Sequence, residues 1–354
     1  MDAVLARECP LACVRRVVET GVPSEQPWKS AVELGWTALA VPERWGGLGL
    51  GFHELGLVVE VHGLHLAPGP FLATLTQFLP LVREAGSEAQ QRRWLGGVAR
   101  GELTGAAAFG SGFAAPDAAL RARREGAGWR LDGKRRFVLD GDSADEIAVA
   151  ARVDEGDGCA LFALPRAAVE TERVVALDPS RPLAHLRFHG VLVEPERVLG
   201  TPGAVLRALE RAREEAAAAL ALEIVGACQR LFEITLAYAR EREQFGRPIG
   251  SFQAVQHKCA DCFVALEKAR ATAHFALMAI GEDDPRRTLA AALAKAAAGD
   301  AQRLVCKEAI QIHGGTGFTW ESDVHLFVKR ALTGDLLLGS AAEQRARIAE
   351  LLAL

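Results

Sequence analysis

Apolar residues recur at helical spacing through Trp28–Leu39 and Leu55–His62, which predicts a mostly helical segment over residues 1 to about 103. From about 104 to 198 the pattern changes. Ile147–Arg152, Ala160–Leu164 and Leu186–Val193 are short apolar runs bounded by Gly, Pro or Asp, and Trp129–Gly141 carries two short runs separated by Asp132-Gly133, a hairpin signal. These features predict an antiparallel β-domain. From about 199 to 354 the period is helical again, through Ala204–Arg242, Phe252–Ile280, Arg286–His313, Ser322–Leu332 and Ala341–Leu352. The breaks fall at Gly246, Pro248, Gly250, Pro285 and Gly314-Gly315. The expected fold class is mainly α with a central β-domain, divided as residues 1–103, 104–198 and 199–354.

A chain of 354 residues buries a large core, and its 41 basic and 45 acidic residues favour neither a nucleic acid nor a membrane surface as partner. Seven cysteines form no disulfide framework, which points to a reducing compartment. The first residues, Met1-Asp-Ala-Val-Leu-Ala-Arg-Glu8, place charges where a signal peptide needs its apolar core, and Glu223 interrupts the longest apolar run, Ala216–Cys228. The expectation is a cytoplasmic protein.

Two runs carry candidate chemistry. The first is Tyr238-Ala-Arg-Glu-Arg-Glu-Gln-Phe-Gly-Arg-Pro-Ile-Gly-Ser-Phe-Gln253 and the second is Gln311-Ile-His-Gly-Gly-Thr-Gly-Phe318. Each joins a helix to a glycine-containing turn, and the first adds arginines and a phenylalanine. Backbone N–H groups and a guanidinium fork suit a dinucleotide pyrophosphate, and an aromatic ring suits its adenosine end. Together the runs resemble those of the acyl-CoA dehydrogenase family of flavoproteins. The resemblance implies an N-terminal helical domain, a β-domain and a C-terminal four-helix-type bundle. It also implies FAD, with Arg242, Gln244 and Phe245 contacting the ADP half held mainly by a neighbouring subunit, and Gln311, Gly314 and Gly315 completing that cradle. Partners implied are an acyl-CoA substrate, an electron-transfer flavoprotein, and a second copy or a homologous subunit. The reaction implied is α,β-dehydrogenation of the thioester, in fatty acid or steroid side-chain catabolism.

The resemblance also locates departures. Family members place an aromatic residue followed by a hydroxyl residue against the flavin ring. Here the run is Phe137-Val138-Leu139, so Phe137 either stacks on the ring or is a strand core residue, and Leu139 has no hydroxyl. The run Ala106–Gly112 lacks the acidic-Pro and Gly-Ser-Asp elements of many members. Ungapped counting puts the usual catalytic glutamate at Leu338 and the alternative helical one at Ala216, and neither residue takes a proton. Glu223 remains conspicuous. An ionised carboxylate on an apolar helical face needs compensation, and the surrounding sequence is similar to actinobacterial-type members. Glu223 is the candidate base. The alternatives are an interhelical ion pair or hydrogen bond, or a subunit that completes a homologue's site without being catalytic itself. A same-fold flavin oxidase or monooxygenase is a further alternative.

Other features read as structural. Val41–Gly51 has G-G-x-G-x-G spacing without the strand a dinucleotide fingerprint requires. Cys259-Ala-Asp-Cys262 lies inside a helical pattern with no second pair, and His185, His189 and His325 form no ligand pattern, so no metal site is expected; His313, before the glycines, reads as structural or FAD-adjacent rather than as an acid–base group.

Overall fold

The computed structural model of the chain describes residues 1–110, 119–154, 158–201 and 205–354. The helices are α1 (Asp2–Glu8), α2 (Leu11–Thr20), α3 (Gln26–Glu33), α4 (Phe52–Leu64), α5 (Phe71–Ala73), α6 (Leu79–Ala85) and α7 (Glu88–Ala99), then α8 (Val205–Glu241), α9 (Gln253–Gly281), α10 (Arg287–His313), α11 (Val324–Leu336) and α12 (Ala341–Leu351). The strands are β1 (Gly105–Ala108), β2 (Leu120–Glu125), β3 (Gly128–Leu139), β4 (Glu146–Val153), β5 (Cys159–Pro165), β6 (Glu170–Arg173), β7 (Leu183–Val193) and β8 (Val198–Leu199), with a separate pair β9 (Glu243–Gln244) and β10 (Arg247–Pro248). The chain divides into two compact units. One comprises Met1–Val22, Gly56–Ala67 and Ala217–Leu354, and the other Pro23–Leu55 and Pro68–Ala216.

The first unit is helical. Its sequence is rich in alanine, and Ala269, Ala273 and Ala276 of α9 and Ala290, Ala294 and Ala298 of α10 are all buried. Small side chains let packed helices approach closely. The approach is close between α4 and α8. A β-carbon on Gly63 would stand 2.1 Å from the Glu223 carbonyl oxygen, and one on Gly226 would stand 2.0 Å from that of Glu60. The two glycines therefore hold backbone against backbone at reciprocal positions. Helix α12 begins with a capping box in which Ser340 and Glu343 satisfy each other's N–H groups.

The second unit contains an eight-stranded sheet of order β6-β7-β3-β2-β4-β5-β8, with β1 also on β4. Most pairs are antiparallel, as expected, but β1 and β2 each pair with β4 in parallel. Trp129, Leu131, Phe162 and Phe188 form part of its buried core, with Trp129 and Phe162 edge-to-face at 5.8 Å. The expected hairpin at Asp132-Gly133 is not there. Strand β3 runs through both residues, with an irregularity after Leu131, and the turn lies between β2 and β3 at Gly126, where φ is +59°. The Asp-Gly pair serves a bulge instead: the Asp132 carboxylate accepts from the Gly190 N–H of β7 at 2.7 Å.

Candidate functional site

In the first unit, α8 ends just past Tyr238 and the chain turns back through the β9–β10 pair. The turn is fixed by the Ile249 N–H donating to the Arg242 carbonyl at 2.8 Å, and by Arg247 lying over the Phe252 ring at 4.2 Å. Its tip presents Phe245, with φ of +54° and 93% exposed, beside exposed Arg242 and Gln244. Helix α10 ends in the second run. His313 is buried there, its Nδ1 donates to the Ala309 carbonyl at 2.9 Å, and burial lowers its pKa, so the ring is neutral. The His313 ring stacks on Tyr238 at 4.3 Å and 20°. That stack joins the end of α8 to the end of α10, and so brings the two runs together.

Beyond His313 the backbone is open. Gly314 has φ of +59°, and a β-carbon at Gly314 or Gly315 would meet nothing within 4 Å; Gln311 is exposed on the preceding turn. The Gly314 N–H is taken by the Ile310 carbonyl, but a glycine backbone clear of side chains, a guanidinium and a bare aromatic ring fit the ADP half of FAD. All of them face outward from the chain that carries them, so the set offers one side of a cradle.

In the second unit, Phe137 sits in a bulge of β3 between Arg135 and Val138. Its φ is +55° and it is 54% exposed, so it lies outside the sheet's core. Its N–H donates to His185 Nδ1 at 3.4 Å and its ring meets the His185 ring edge-on at 4.9 Å. Leu139 is buried opposite Leu183. Ser111 and Gly112 of the run Ala106–Gly112 lie outside the described residues.

Two carboxylates escaped the sequence reading. Glu214 and Glu215 are buried on α8 immediately before Ala216. Arg83 and Arg211 both pair with Glu215, Arg211 at 3.5 Å. In sequence these acids precede the alanine run and look like a solvated helix face, while Arg83 lies 132 residues away from Glu215.

Glu223 is 4% exposed on α8, in the first unit. Its Oε1 accepts from Arg330 of α11 at 3.1 Å, and that guanidinium, itself 3% exposed, also donates to the Leu66 carbonyl at 3.3 Å. His62 of α4 lies in the same buried cluster. Burial pushes it down to about 3 against the opposing pull of Glu223, so it is neutral. Of the alternatives for Glu223, the geometry displays the interhelical ion pair. Taking a proton would cancel the charge that Arg330 faces. Leu338 and Ala216, where ungapped counting from the sequence places the two base positions, offer no proton acceptor. Among the described residues no group of three or more His, Cys, Asp or Glu could hold a metal ion.

Family models for the acyl-CoA dehydrogenase N-terminal domain and C-terminal domain match residues 2–102 and 206–353. The acyl-CoA dehydrogenase IpdE2 of Mycobacterium tuberculosis is 34% identical over 325 residues, covering 92% of this chain and 86% of that protein. The mitochondrial short-chain specific acyl-CoA dehydrogenase of Rattus norvegicus is 28% identical over 334 residues, covering 91% and 81%. Among solved structures, the ChsE4-ChsE5 complex from Mycobacterium tuberculosis matches with a TM-score of 0.91 at 27% identity, covering 99% of this chain and 94% of that one. With both domain models matched and a relative 34% identical over 92% of this sequence, the chain belongs to the acyl-CoA dehydrogenase family.

Proposed function

We propose that this flavoprotein of the acyl-CoA dehydrogenase family holds the ADP half of FAD with Arg242, Gln244, Phe245, Gln311, Gly314 and Gly315, and meets the flavin ring with Phe137. The observation that carries the reading is the outward-facing set at the ends of α8 and α10, joined by the Tyr238–His313 stack. Bound FAD supplies the hydride acceptor for α,β-dehydrogenation of an acyl-CoA. The chain's own residues do the rest. Arg242 would pair with pyrophosphate oxygens, the bare backbone at Gly314-Gly315 would let them approach closely, and Phe245 would cover the adenosine. In this reading residues 1–103, 104–198 and 199–354 are the three domains.

Because one chain offers one side of the cradle, a second copy or a homologous subunit supplies the other. An electron-transfer flavoprotein takes the electrons onward. The seven cysteines are all free thiols, which supports a cytoplasmic location; among the described residues no helix is long and apolar enough to cross a membrane.

If this chain is the catalytic one, Glu223 takes the α-proton. The Glu223–Arg330 pair favours a second reading, in which Glu223 is an anchor and a homologous subunit brings the base. Arg242→Ala tests the cradle. It should weaken FAD retention by about 1.5–3 kcal/mol, the scale of a charge-assisted phosphate contact. Unchanged flavin content and unchanged oligomer mass would count against it.

A further inference from the structure

The bulge in β3 turns one aromatic side chain outward and leaves one backbone donor to be satisfied. Arg135 pairs with Leu186 and Val138 with Ala184, so Arg136 and Phe137 together stand opposite His185 alone. Extra residues of this kind re-aim a side chain and interrupt the ladder. Phe137 has φ of +55°, a region that a phenylalanine rarely occupies, and it is exposed while Val138 and Leu139 beside it are buried. Its displaced N–H finds an acceptor in His185 Nδ1 at 3.4 Å, and the two rings meet edge-on at 4.9 Å.

That bond fixes which nitrogen of His185 carries the proton. A nitrogen that accepts has none, so the ring donates from Nε2. Among the described residues Nε2 makes no hydrogen bond. Glu172 stands opposite His185 on β6, but its carboxylate is engaged by Arg187 at 2.9 Å. Leu139, buried opposite Leu183, has no polar side-chain atom to offer. The bulge therefore presents an apolar ring and one N–H donor side by side. A planar heteroaromatic group with carbonyl oxygens and nitrogens along its edge uses both, the ring against its face and the donor at its edge. Backbone strain held in place by its surroundings points the same way.

We infer that His185 serves the flavin in two ways: Nδ1 holds Phe137 in its bulge, and Nε2–H donates to the edge of the flavin ring. The inference rests on the reading above that Phe137 meets that ring. A donor at the ring edge favours the electron-rich reduced flavin. The test uses the purified full chain loaded with FAD and reads its absorption spectrum and two-electron reduction potential. His185→Phe, which removes donor and acceptor, should make reduction roughly tenfold less favourable, about 30 mV for two electrons. His185→Asn, whose carbonyl can still accept from the Phe137 N–H but whose amide stops short of Nε2, should lower the potential equally. His185→Gln, whose longer side chain returns a donor near Nε2, should restore it. A purely structural His185 would change the melting temperature and leave the potential alone. Wild-type potentials in folded, FAD-loaded His185→Phe and His185→Asn overturn the inference, and so does a glutamine protein no closer to wild type than the asparagine one. Should His185→Phe not keep FAD, His185→Asn decides alone. Phe137→Leu separates the inference from the reading beneath it. A shifted flavin absorption band supports Phe137 at the ring whatever His185 does, while an unchanged band and potential overturn that reading and the inference with it.

Discussion

Glu223 is the residue on which catalysis and architecture make opposite demands, and a double-mutant cycle with Arg330 separates them. The pair is buried on both sides at 3.1 Å. Glu223→Gln keeps a hydrogen-bond acceptor for the guanidinium but removes its counter-charge, and Arg330→Met leaves a buried carboxylate facing an apolar chain. Breaking a buried pair from one side costs about 3–5 kcal/mol, with the glutamine variant near the lower end because one hydrogen bond survives. The double variant buries no net charge, so it should recover about 1–3 kcal/mol relative to the sum of the singles. Urea midpoints of the four FAD-loaded proteins measure this directly. An anchor gives large single losses and clear coupling. Single losses below about 1 kcal/mol would refute the anchor argument. The same proteins, mixed anaerobically with acyl-CoA, test the base. A catalytic Glu223 loses at least about a hundredfold in flavin bleaching on conversion to glutamine, while an anchor whose fold survives does not.

Three further outcomes are expected. His62 is held neutral, with its pKa lowered from 6.5 to about 3, so the unfolded state binds the extra proton between those values. The stability conferred is fully present above about pH 6.5 and is lost at up to about 1.4 kcal/mol per pH unit as pH falls toward 3; a His62→Leu protein with the same fall in urea midpoint from pH 7 to 5 would remove His62 as the cause. Tyr238→Ala should weaken FAD retention by about 1 kcal/mol through loss of the stack on His313, with equilibrium dialysis as the check. The chain should also be larger than a monomer at micromolar concentration, because exposed Phe245 and the one-sided FAD set need covering; sedimentation of a monodisperse, FAD-bound monomer would disprove this.

The helical part of the fold was readable because its signals are local. The run expected at Phe252–Ile280 is α9 at Gln253–Gly281, and that expected at Arg286–His313 is α10 at Arg287–His313, each bounded by the glycine or proline breaks seen in the sequence. The sheet was less legible. Asp132-Gly133 carries a turn signal, yet pairing with β7 uses it as a bulge, and the parallel registers on β4 depend on contacts no local pattern announces. Glu223 stood out as a charge in an apolar run. Its partner did not, because Arg330 lies 107 residues away on a helix where an arginine reads as a surface residue. Lys295 was hidden for the same reason: in an alanine-rich helix a lysine looks solvated, and only the fold shows it enclosed.

The crossing of α4 and α8 acts as a ruler. Gly63 rests on the Glu223 carbonyl and Gly226 on that of Glu60, so the height of residue 223 along its helix is read off one backbone by another. A methyl group added at either glycine touches no charged atom, yet it forces the backbones apart and slides the carboxylate relative to Arg330 and His62. Variation that alters the buried charge cluster therefore has two routes: exchange of its members, or a change at silent glycines that resets their spacing. Comparisons of homologues that track only the charged positions would overlook the second.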